Sequence, residues 1–395
     1  MSEWKKCPIG EVVTLRQGFA INAKSKHYMS KEETSLPLLR IADMKNGTKE
    51  VFVKEEIPQR FIAHPEDIIY TRTGNVGLVF RNNYGVMHNN CFSVTPNDAD
   101  ELSRDFLYYA LQNKTFFDTA NALARGAAQP DLPHTSFNSI EFAYPSLFVQ
   151  ERIAYILSRY DSLIENYQKQ IKLLEEAAQR LYKEWFIDLH FPEHENTNII
   201  DGVPEGWEKK KVNSIIELQS GFAFKSSTFD DNGTYKIVTI KNVKDGAFDG
   251  DNVSKIVAIP DKMPKHCILA DGDILLSLTG NVGRVCIVNG KNYLLNQRVA
   301  KLATGFKAFT YCLFRSRDMF IEVNNLANGA AQQNVSPIRI GEMKILLPNS
   351  ELLQEFESIV FKSIARIISL QSQIRLLTEA RDRLLPKLMS GEIEI

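Results

Sequence analysis

The stretch QIKLLEEAAQRL at Gln170–Leu181 returns as QIRLLTEARDRL at Gln373–Leu384, with 8 of 12 residues identical at an offset of 203. Each copy lies in a longer segment whose apolar residues recur in steps of three and four, which places one continuous apolar seam on a helix face. We therefore predict two long helices that pair with each other. The residues predicted to form this pairing are Ile153, Leu157, Tyr160, Ile164, Tyr167, Ile171, Leu174, Leu181, Phe356, Val360, Ile367, Leu370, Ile374, Leu377 and Leu384.

The second seam contains two polar breaks, Ser363 and Arg381. Further apolar residues lie off the seam on the two segments. They are candidates for contact with partner proteins, and the alternative is that they pack on globular parts of the same chain. These residues are Tyr155, Tyr182, Phe186 and Ile359.

The repeat extends over nearly the whole chain. Gly18-Phe19-Ala20 matches Gly221-Phe222-Ala223, and RGAAQ at Arg125–Gln129 matches NGAAQ at Asn328–Gln332, both at the same offset of 203. TGNVG recurs with a further shift of three residues. The chain therefore contains two copies of one structural unit. The predicted organisation is a first domain at 1–145, a helix at 146–190, a linker at 191–206, a second domain at 207–348, a helix at 349–390 and a tail at 391–395.

Each domain is predicted to be a strand-rich α+β fold. Asp67–Phe80 and Asp273–Val288 have β-branched arms on either side of TGNVG, which is typical of a hairpin, and a short helix is expected at Asp105–Phe117 and again at Phe309–Val323. Two helices that follow similar domains can pair antiparallel about a pseudo-twofold axis, as a spacer of roughly 55 Å. The alternatives are a helix pair that serves only as a core, or a homodimerising coiled coil.

Composition places limits on the function. The chain of 395 residues has a formal net charge of -1, although residues 205–348 carry 19 Lys and Arg against 14 Asp and Glu. No secretory leader or membrane-spanning run is present, so we expect a cytoplasmic protein. Five cysteines without a C-x-x-C spacing indicate buried thiols rather than a zinc cluster or a disulfide framework.

The sequence contains no motif for catalysis. It has no phosphate-binding G-x-x-x-x-G-K-[ST], no G-x-G-x-x-G, and no Asn/Asp-Pro-Pro-Tyr/Phe of adenine methyltransferases. His190 and His194 have a spacing seen in metal sites, but Pro192 lies between them and we interpret them as solvated linker residues. We expect neither an enzyme nor a metal site.

Three longer phrases point to one family: LYKEWFIDLHFP from Leu181, PEGWEKKKVNSIIELQSGFAF from Pro204, and RDRLLPKLMSGEIEI from Arg381. Together they resemble the specificity subunits of type I restriction-modification systems, over the whole chain. The resemblance implies two target-recognition domains that each read half of a bipartite, asymmetric site in double-stranded DNA. It also implies that the helices fix the unread gap and contact methyltransferase subunits, expected to be two, with restriction subunits joining that core.

By the same resemblance, this chain is expected to hold no cofactor. S-adenosylmethionine, ATP and magnesium belong to partners that carry adenine methyltransferase and ATP-dependent endonuclease activity. The alternative function is a duplicated coiled-coil scaffold that binds proteins and not DNA.

DNA-contacting residues are sought among the polar residues near the repeated loops. The TGNVG pentapeptide is identical in both halves, which favours a structural or phosphate-contacting role. Asn90 and Asn296 are interpreted as occupying matching places after the two hairpins, in HNNC and LNQR. Asn and Gln pair with adenine and Arg with guanine, whereas the alternative for Asn90 and Asn296 is to cap a turn. Lysines would contact phosphates or be ordinary surface residues. The candidates are Lys24, Lys26, Arg72, Thr73, Asn75, Asn90, Arg125, Gln129, Lys225, Ser226, Thr279, Asn281, Asn296, Gln297, Arg298, Gln332, Gln333 and Asn334.

Overall fold

The computed structural model describes residues 4–126, 128–251, 253–327 and 333–395. Two compact units are formed, one from Met1–Ser162 with Leu377–Ile395 and the other from Leu163–Leu376. Each unit contains one strand-rich domain together with part of each long helix.

The first domain contains three small sheets, a two-stranded, a four-stranded and a five-stranded one. Its strands are β1 Lys5–Pro8, β2 Val13–Gln17, β3 Met29–Ser30, β4 Leu36–Leu39, β5 Phe52–Val53, β6 Ile62–Ala63, β7 Ile68–Thr71, β8 Val79–Phe80, β9 Gly85–Met87, β10 Cys91–Pro96 and β11 Glu141–Tyr144. The helices of this part are α1 Ile41–Asn46, α2 Arg104–Gln112, α3 Lys114–Leu123, α4 His134–Asn138 and the long α5 Leu147–Phe186.

The second domain repeats most of these elements after a short hairpin in the linker. Its strands, with the linker pair first, are β12 Ile199–Ile200, β13 Val203–Pro204, β14 Glu208–Lys211, β15 Ile216–Ser220, β16 Tyr235–Val238, β17 Ser254–Ile256, β18 Ile268–Leu269, β19 Ile274–Ser277, β20 Val285–Ile287, β21 Tyr293–Leu295, β22 Val299–Thr304 and β23 Lys344–Leu347. The helices are α6 Lys307–Arg315, α7 Arg317–Leu326, α8 Pro337–Gly341 and the long α9 Ser350–Met389.

Sheet topology confirms the internal repeat. The antiparallel order β2-β10-β7-β8 in the first domain returns as β15-β22-β19-β20 in the second, and the pair β1-β11 returns as β14-β23. In the other sheet of each domain one pair is parallel, β4 with β9 and β16 with β21. Both predicted hairpins are present, as β7-β8 and β19-β20. The glycines of their connecting loops supply positive φ angles, for example 83° at Gly74 and 72° at Gly280.

The predicted single helix after each hairpin is wrong, because two helices occupy the segment in both domains. The chain turns at Asn113, whose extended backbone and side-chain oxygen cap the start of α3 by accepting from Thr115 N. Ser316 does the same for α7 by accepting from Met319 N. Asn and Ser favour such caps over helix interiors, since their side chains replace the missing backbone acceptor.

The two long helices run antiparallel. In one unit Leu388, near the end of α9, shares a buried cluster with Ile153 and Leu157, near the start of α5. In the other unit Phe356, near the start of α9, lies with its ring 4.9 Å from that of Phe186, at the end of α5. All the predicted seam residues are buried or half-buried. The seam thus follows the period of the sequence.

Arg381, a polar break in the predicted seam, belongs to a network of ionic and hydrogen-bonding groups in the first unit. Its Nη1 donates to Asp161 of α5 over 2.7 Å, and Tyr109 of α2 donates to the same carboxylate over 2.6 Å. Arg81 adds a third contact at 3.3 Å. The network therefore ties both long helices to the first domain. In the second unit Glu175 plays the corresponding part by accepting from Tyr311 of α6.

Two of the four apolar residues off the seam are buried in the chain's own core, so for these two the alternative of packing within the same chain is confirmed. Tyr182 and Phe186 are 4% and 7% exposed and pack against Phe309 of α6. The helix face at this end of α5 is covered by the second domain, which heptad spacing alone does not reveal. Tyr155 and Ile359 are exposed, at 64% and 46%.

Within the part of the chain that the structure describes, no helix is long and apolar enough to span a membrane. All five cysteines are unpaired, and four of them are buried. No group of three or more His, Cys, Asp or Glu side chains among the described residues is arranged to hold a metal ion. His190 and His194 have ring centroids 5.2 Å apart, and His194 Nδ1 lies 2.9 Å from the Phe191 carbonyl oxygen.

Candidate nucleic-acid interface

Four segments that the sequence separates are joined by backbone hydrogen bonds in the first domain. We name them the GFA segment (Gly18–Ala20), the TGNVG loop (Thr73–Gly77), the turn triplet (His88–Asn90) and the GAAQ loop (Arg125–Gln129). Phe19 N donates to Met87 O, and Asn89 N donates to Phe19 O over 2.9 Å. A β-carbon on Gly18 would lie 2.2 Å from the carbonyl oxygen of His88. Only glycine therefore allows the GFA segment to approach the turn triplet so closely.

The TGNVG loop lies between the turn triplet and the residues that follow the GAAQ loop. Arg72 N donates to Asn90 O and Gly74 N donates to Pro130 O, each over 2.8 Å. Arg125 and Asp131 exchange backbone hydrogen bonds and so close the GAAQ loop on itself. The described polar side chains of these segments are thereby gathered in one region of the domain.

Side chains reinforce the contact between the TGNVG loop and the end of the GAAQ loop. Arg72 donates to both carboxylate oxygens of Asp131, at 3.2 and 2.7 Å, and the Thr73 hydroxyl donates to one of them over 2.5 Å. Gln17 accepts from the remaining Arg72 nitrogen. Burial opposes ionisation of Asp131, but the hydrogen bonds from Arg72 and Thr73 outweigh it and lower the pKa of this carboxyl below its ordinary value. We call this group the Arg72–Asp131 clasp.

The second domain repeats the backbone framework. Phe222 N donates to Leu295 O and Gln297 N donates to Phe222 O, and a β-carbon on Gly221 would again lie 2.2 Å from a carbonyl oxygen, that of Asn296. Leu278 N donates to Arg298 O over 3.0 Å. The charged clasp becomes neutral, because Leu278 replaces Arg72 and the acceptor for the Thr279 hydroxyl is the Asn334 amide at 2.7 Å.

These hydrogen bonds correct one residue pairing inferred from the sequence. Asn90 and Asn296 do not occupy matching places: Asn296 corresponds to His88, Gln297 to Asn89 and Arg298 to Asn90. Asn90 and Asn296 were paired because both are asparagines. The backbone hydrogen-bond partners show that the two turns are separated in the chain by a different number of residues. The Asn296 side chain also accepts from Arg298 N, as its capping alternative requires.

The other candidates differ in exposure and in their partners. Asn334 is exposed although its oxygen is bonded to Thr279, and Asn90 and Asn296 are half-buried. Lys24, Lys26, Lys225 and Ser226 are exposed in turns that follow the two GFA sequences, outside the four named segments. Gln332 lies outside the described residues. The remaining exposed candidates are Asn75, Arg125, Gln129, Asn281, Gln297, Arg298 and Gln333.

Four residues of this region were not predicted from the sequence: Gln17, His88, Asn89 and Asp131. Asp131 lies two residues beyond RGAAQ, and Asn334 lies at the same distance beyond NGAAQ. If the repeated phrase is extended by two positions, it reaches Asp131 and Asn334, and Asp131 is then predicted to lie beside the loops. Gln17 has no such signal, since Ser220 replaces it in the second domain.

Comparison with protein families gives the same assignment for both halves of the chain. The family model for the type I restriction modification DNA specificity domain matches residues 1–176 and again 204–378. The chain belongs to this family of specificity subunits. Family membership confirms the resemblance drawn from the three sequence phrases, and it makes the chain a determinant of DNA sequence specificity within a restriction-modification complex.

Individual relatives agree with this assignment. The type I restriction enzyme MjaIX specificity subunit of Methanocaldococcus jannaschii is 30% identical over 315 residues, covering 77% of this chain and 72% of the relative. The MjaVIII specificity subunit of the same organism is 27% identical over 413 residues, covering 100% and 93%. The crystal structure of an S subunit from M. genitalium matches 98% of this chain and 96% of its own with a TM-score of 0.59, at 18% identity. That similarity concerns the fold.

The differences between the two clasps generate a double-mutant prediction. Arg72→Leu alone leaves Asp131 without its cation, and Asp131→Asn alone leaves the guanidinium without its anion. We expect each to lower the free energy of unfolding by about 1 kcal/mol, because the pair is partly solvent-exposed. The double substitution recreates the Leu278 and Asn334 pair of the second domain and should recover most of that loss.

Urea unfolding of the four proteins measures this coupling. Asp131→Ala is the matched control, because it removes the acceptor for the Thr73 hydroxyl, which Asn keeps, and should destabilise more than Asp131→Asn. Strictly additive losses in the double variant would show that Arg72 and Asp131 do not act as a pair.

Proposed function

We propose that this chain reads a bipartite, asymmetric sequence in double-stranded DNA, with one half-site assigned to each domain. The observation that carries this proposal is the repeated backbone framework with different side chains on it. His88, Asn89 and Asn90 hold the places that Asn296, Gln297 and Arg298 hold in the second domain. A common framework supports a common task, and different donors and acceptors support different bases, because each base pair presents its own pattern of hydrogen-bonding groups in the major groove.

The named segments divide into two proposed roles. The TGNVG loops are identical, so they are assigned to positioning on the sugar-phosphate backbone, with the exposed lysines Lys24, Lys26 and Lys225 as phosphate contacts. The turn triplets and the exposed glutamines Gln129 and Gln333 are assigned to base edges. Arg72 is assigned to holding the loops together rather than to reading a base, since Asp131 and Gln17 already accept from its guanidinium.

The long helices are proposed to set the unread gap and to dock two methyltransferase subunits. The most similar stretch of the repeat, at Gln170–Leu181 and Gln373–Leu384, is mostly exposed or half-exposed and includes Leu173 at 64% and Leu376 at 54% exposure. Packing of the two helices against their domains does not require the same residues on the solvent-facing surfaces of both helices. Binding of the same partner protein to both surfaces does require them.

Chemistry is assigned to the partners. The sequence contains none of the phosphate-loop, dinucleotide-binding or adenine-methyltransferase motifs sought above. We propose that S-adenosylmethionine, ATP and magnesium bind to methyltransferase and restriction subunits. The alternative, a protein-interaction scaffold, makes no use of the repeated polar framework.

Deleting one heptad from each helix tests the proposed spacer. Ile164–Gln170 and Ile367–Gln373 are suitable because they are equivalent heptads of the repeat, at the offset of 203, so the two deletions shorten both helices at matching places. Loss of seven residues shortens a helix by about 10 Å, so we expect the gap in the methylated motif to shorten by about three base pairs.

Both half-sites should stay unchanged in the double deletion, provided that thermal unfolding shows a folded protein. Deletion from one helix only is the control, because it puts the facing seams out of register. A changed half-site with an unchanged gap would rule out the spacer role.

Exchange of the turn triplet tests the reading role. We expect the combined substitution His88→Asn, Asn89→Gln and Asn90→Arg to alter the first half-site and to leave the second half-site and the gap intact. Sequencing of methylated adenines, with the chain expressed alongside its partner subunits, gives all three quantities. Lys114→Ala, which removes an exposed ion pair with Asp118 on α3, is the control. An unchanged motif in a folded triplet variant would remove the turn from the reading surface.

A further inference from the structure

Two large aromatic side chains are exposed near the start of helix α5. Phe148 is 65% exposed and Tyr155 is 64% exposed. They lie on the face away from Ile153 and Leu157, which are buried in the first domain's core. Single exposed apolar residues are ordinary on protein surfaces, but two large aromatic rings on one helix face mark a contact surface.

Arginines flank both rings. The Arg152 guanidinium carbon lies 5.8 Å from the Phe148 ring centroid, and that of Arg159 lies 5.8 Å from the Tyr155 centroid. A groove of about 440 Å³ is lined by Phe148, Glu151, Arg152, Tyr155 and Ile156. Stacking on an aromatic ring orders the guanidinium while leaving its donors available to a carboxylate. We call Phe148, Arg152, Tyr155 and Arg159 the aromatic–arginine face.

The repeat has no such face on helix α9. At the offset of 203, Phe148 corresponds to Glu351, Arg152 to Glu355, Tyr155 to Ser358 and Arg159 to Lys362. All four counterparts are exposed, and the net charge of the set changes from two positive to one negative. This difference contrasts with the similar stretches at Gln170–Leu181 and Gln373–Leu384, most of whose residues are exposed or half-exposed.

We propose that the aromatic–arginine face contacts only one of the two methyltransferase subunits, through an acidic and apolar surface on that subunit, so that the two copies bind with unequal affinity and in a fixed order. This inference rests on the proposed docking of methyltransferase subunits on the helices. Tyr and Arg are the residue types that dominate interface energetics. The duplicated stretch provides the contacts that are common to the two docking sites. The aromatic–arginine face provides additional contacts at only one of them.

Native mass spectrometry of the full chain titrated with its methyltransferase subunit tests the proposal. We expect two dissociation constants that differ by at least about tenfold for the wild-type chain. The variant carrying Phe148→Glu and Tyr155→Ser takes the residues of helix α9 at both places. It should lose the tighter site by about tenfold or more and bind both copies with similar, weaker affinity.

A matched variant on helix α9, with Glu351→Ala and Ser358→Ala, should keep the wild-type pattern, and equal thermal unfolding temperatures would show that all variants are folded. Equal affinities for the two copies in the wild-type chain, or an unchanged tighter site in the variant, would overturn this inference while leaving the docking proposal in place. A wild-type chain that binds no methyltransferase subunit would instead overturn the docking proposal itself.

Discussion

Burial of one apolar seam on each of two 40-residue helices is the interaction on which the rest of the structure depends. Helices of this length that expose such a seam would associate or aggregate rather than remain single in water. Here the seam residues are covered within the chain, since the start of α5 meets the end of α9 in one unit and the end of α5 meets the start of α9 in the other. Each helix thus takes part in both units, and each domain packs on a helix pair.

Polar networks fix how each domain sits on its helix pair. Asp161 accepts from Tyr109 and Arg381 in the first unit, and Glu175 accepts from Tyr311 in the second. Such groups, partly withdrawn from water, are costly unless they are partnered, so they tolerate few alternative registers of the helices. Apolar contacts along a heptad seam would permit a slip of seven residues much more readily.

The duplicated domains show which features the fold requires and which are free to change. Both domains hold the aspartate before the hairpin in an ion pair: Arg16 of β2 pairs with Asp67, whereas Lys301 of β22 pairs with Asp273. In the sheet register Arg16 faces Ser93 in the first domain, and Gln219 faces Lys301 in the second. The cation therefore lies on the opposite strand of this pair in the second domain. The charged Arg72–Asp131 clasp likewise becomes a neutral Thr279–Asn334 contact in the second domain. The backbone framework is retained through these exchanges, so side chains on it can diverge without loss of the fold.

Much of the architecture was predictable from the sequence, because heptads, repeated phrases and glycine-containing hairpins are local signals. The helix breaks at Asn113 and Ser316 also have a local signal, since both are capping residues. They were not predicted, because the apolar residues on both sides of each break follow a helical period. Burial of Tyr182 and Phe186 depends on a domain that follows them in the chain, which a helical period does not encode. The correspondence of Asn90 with Arg298 emerges only from backbone partners, because insertions shift the offset between the two copies.

The most direct test of the account is a map of methylated adenines across the genome of the host, with and without the gene for this chain. The account predicts that one gapped, asymmetric motif loses its methylation when the gene is removed, and the motif would give both half-sites and the gap together. In a host whose partner methyltransferase is active, an unchanged methylation map would contradict it.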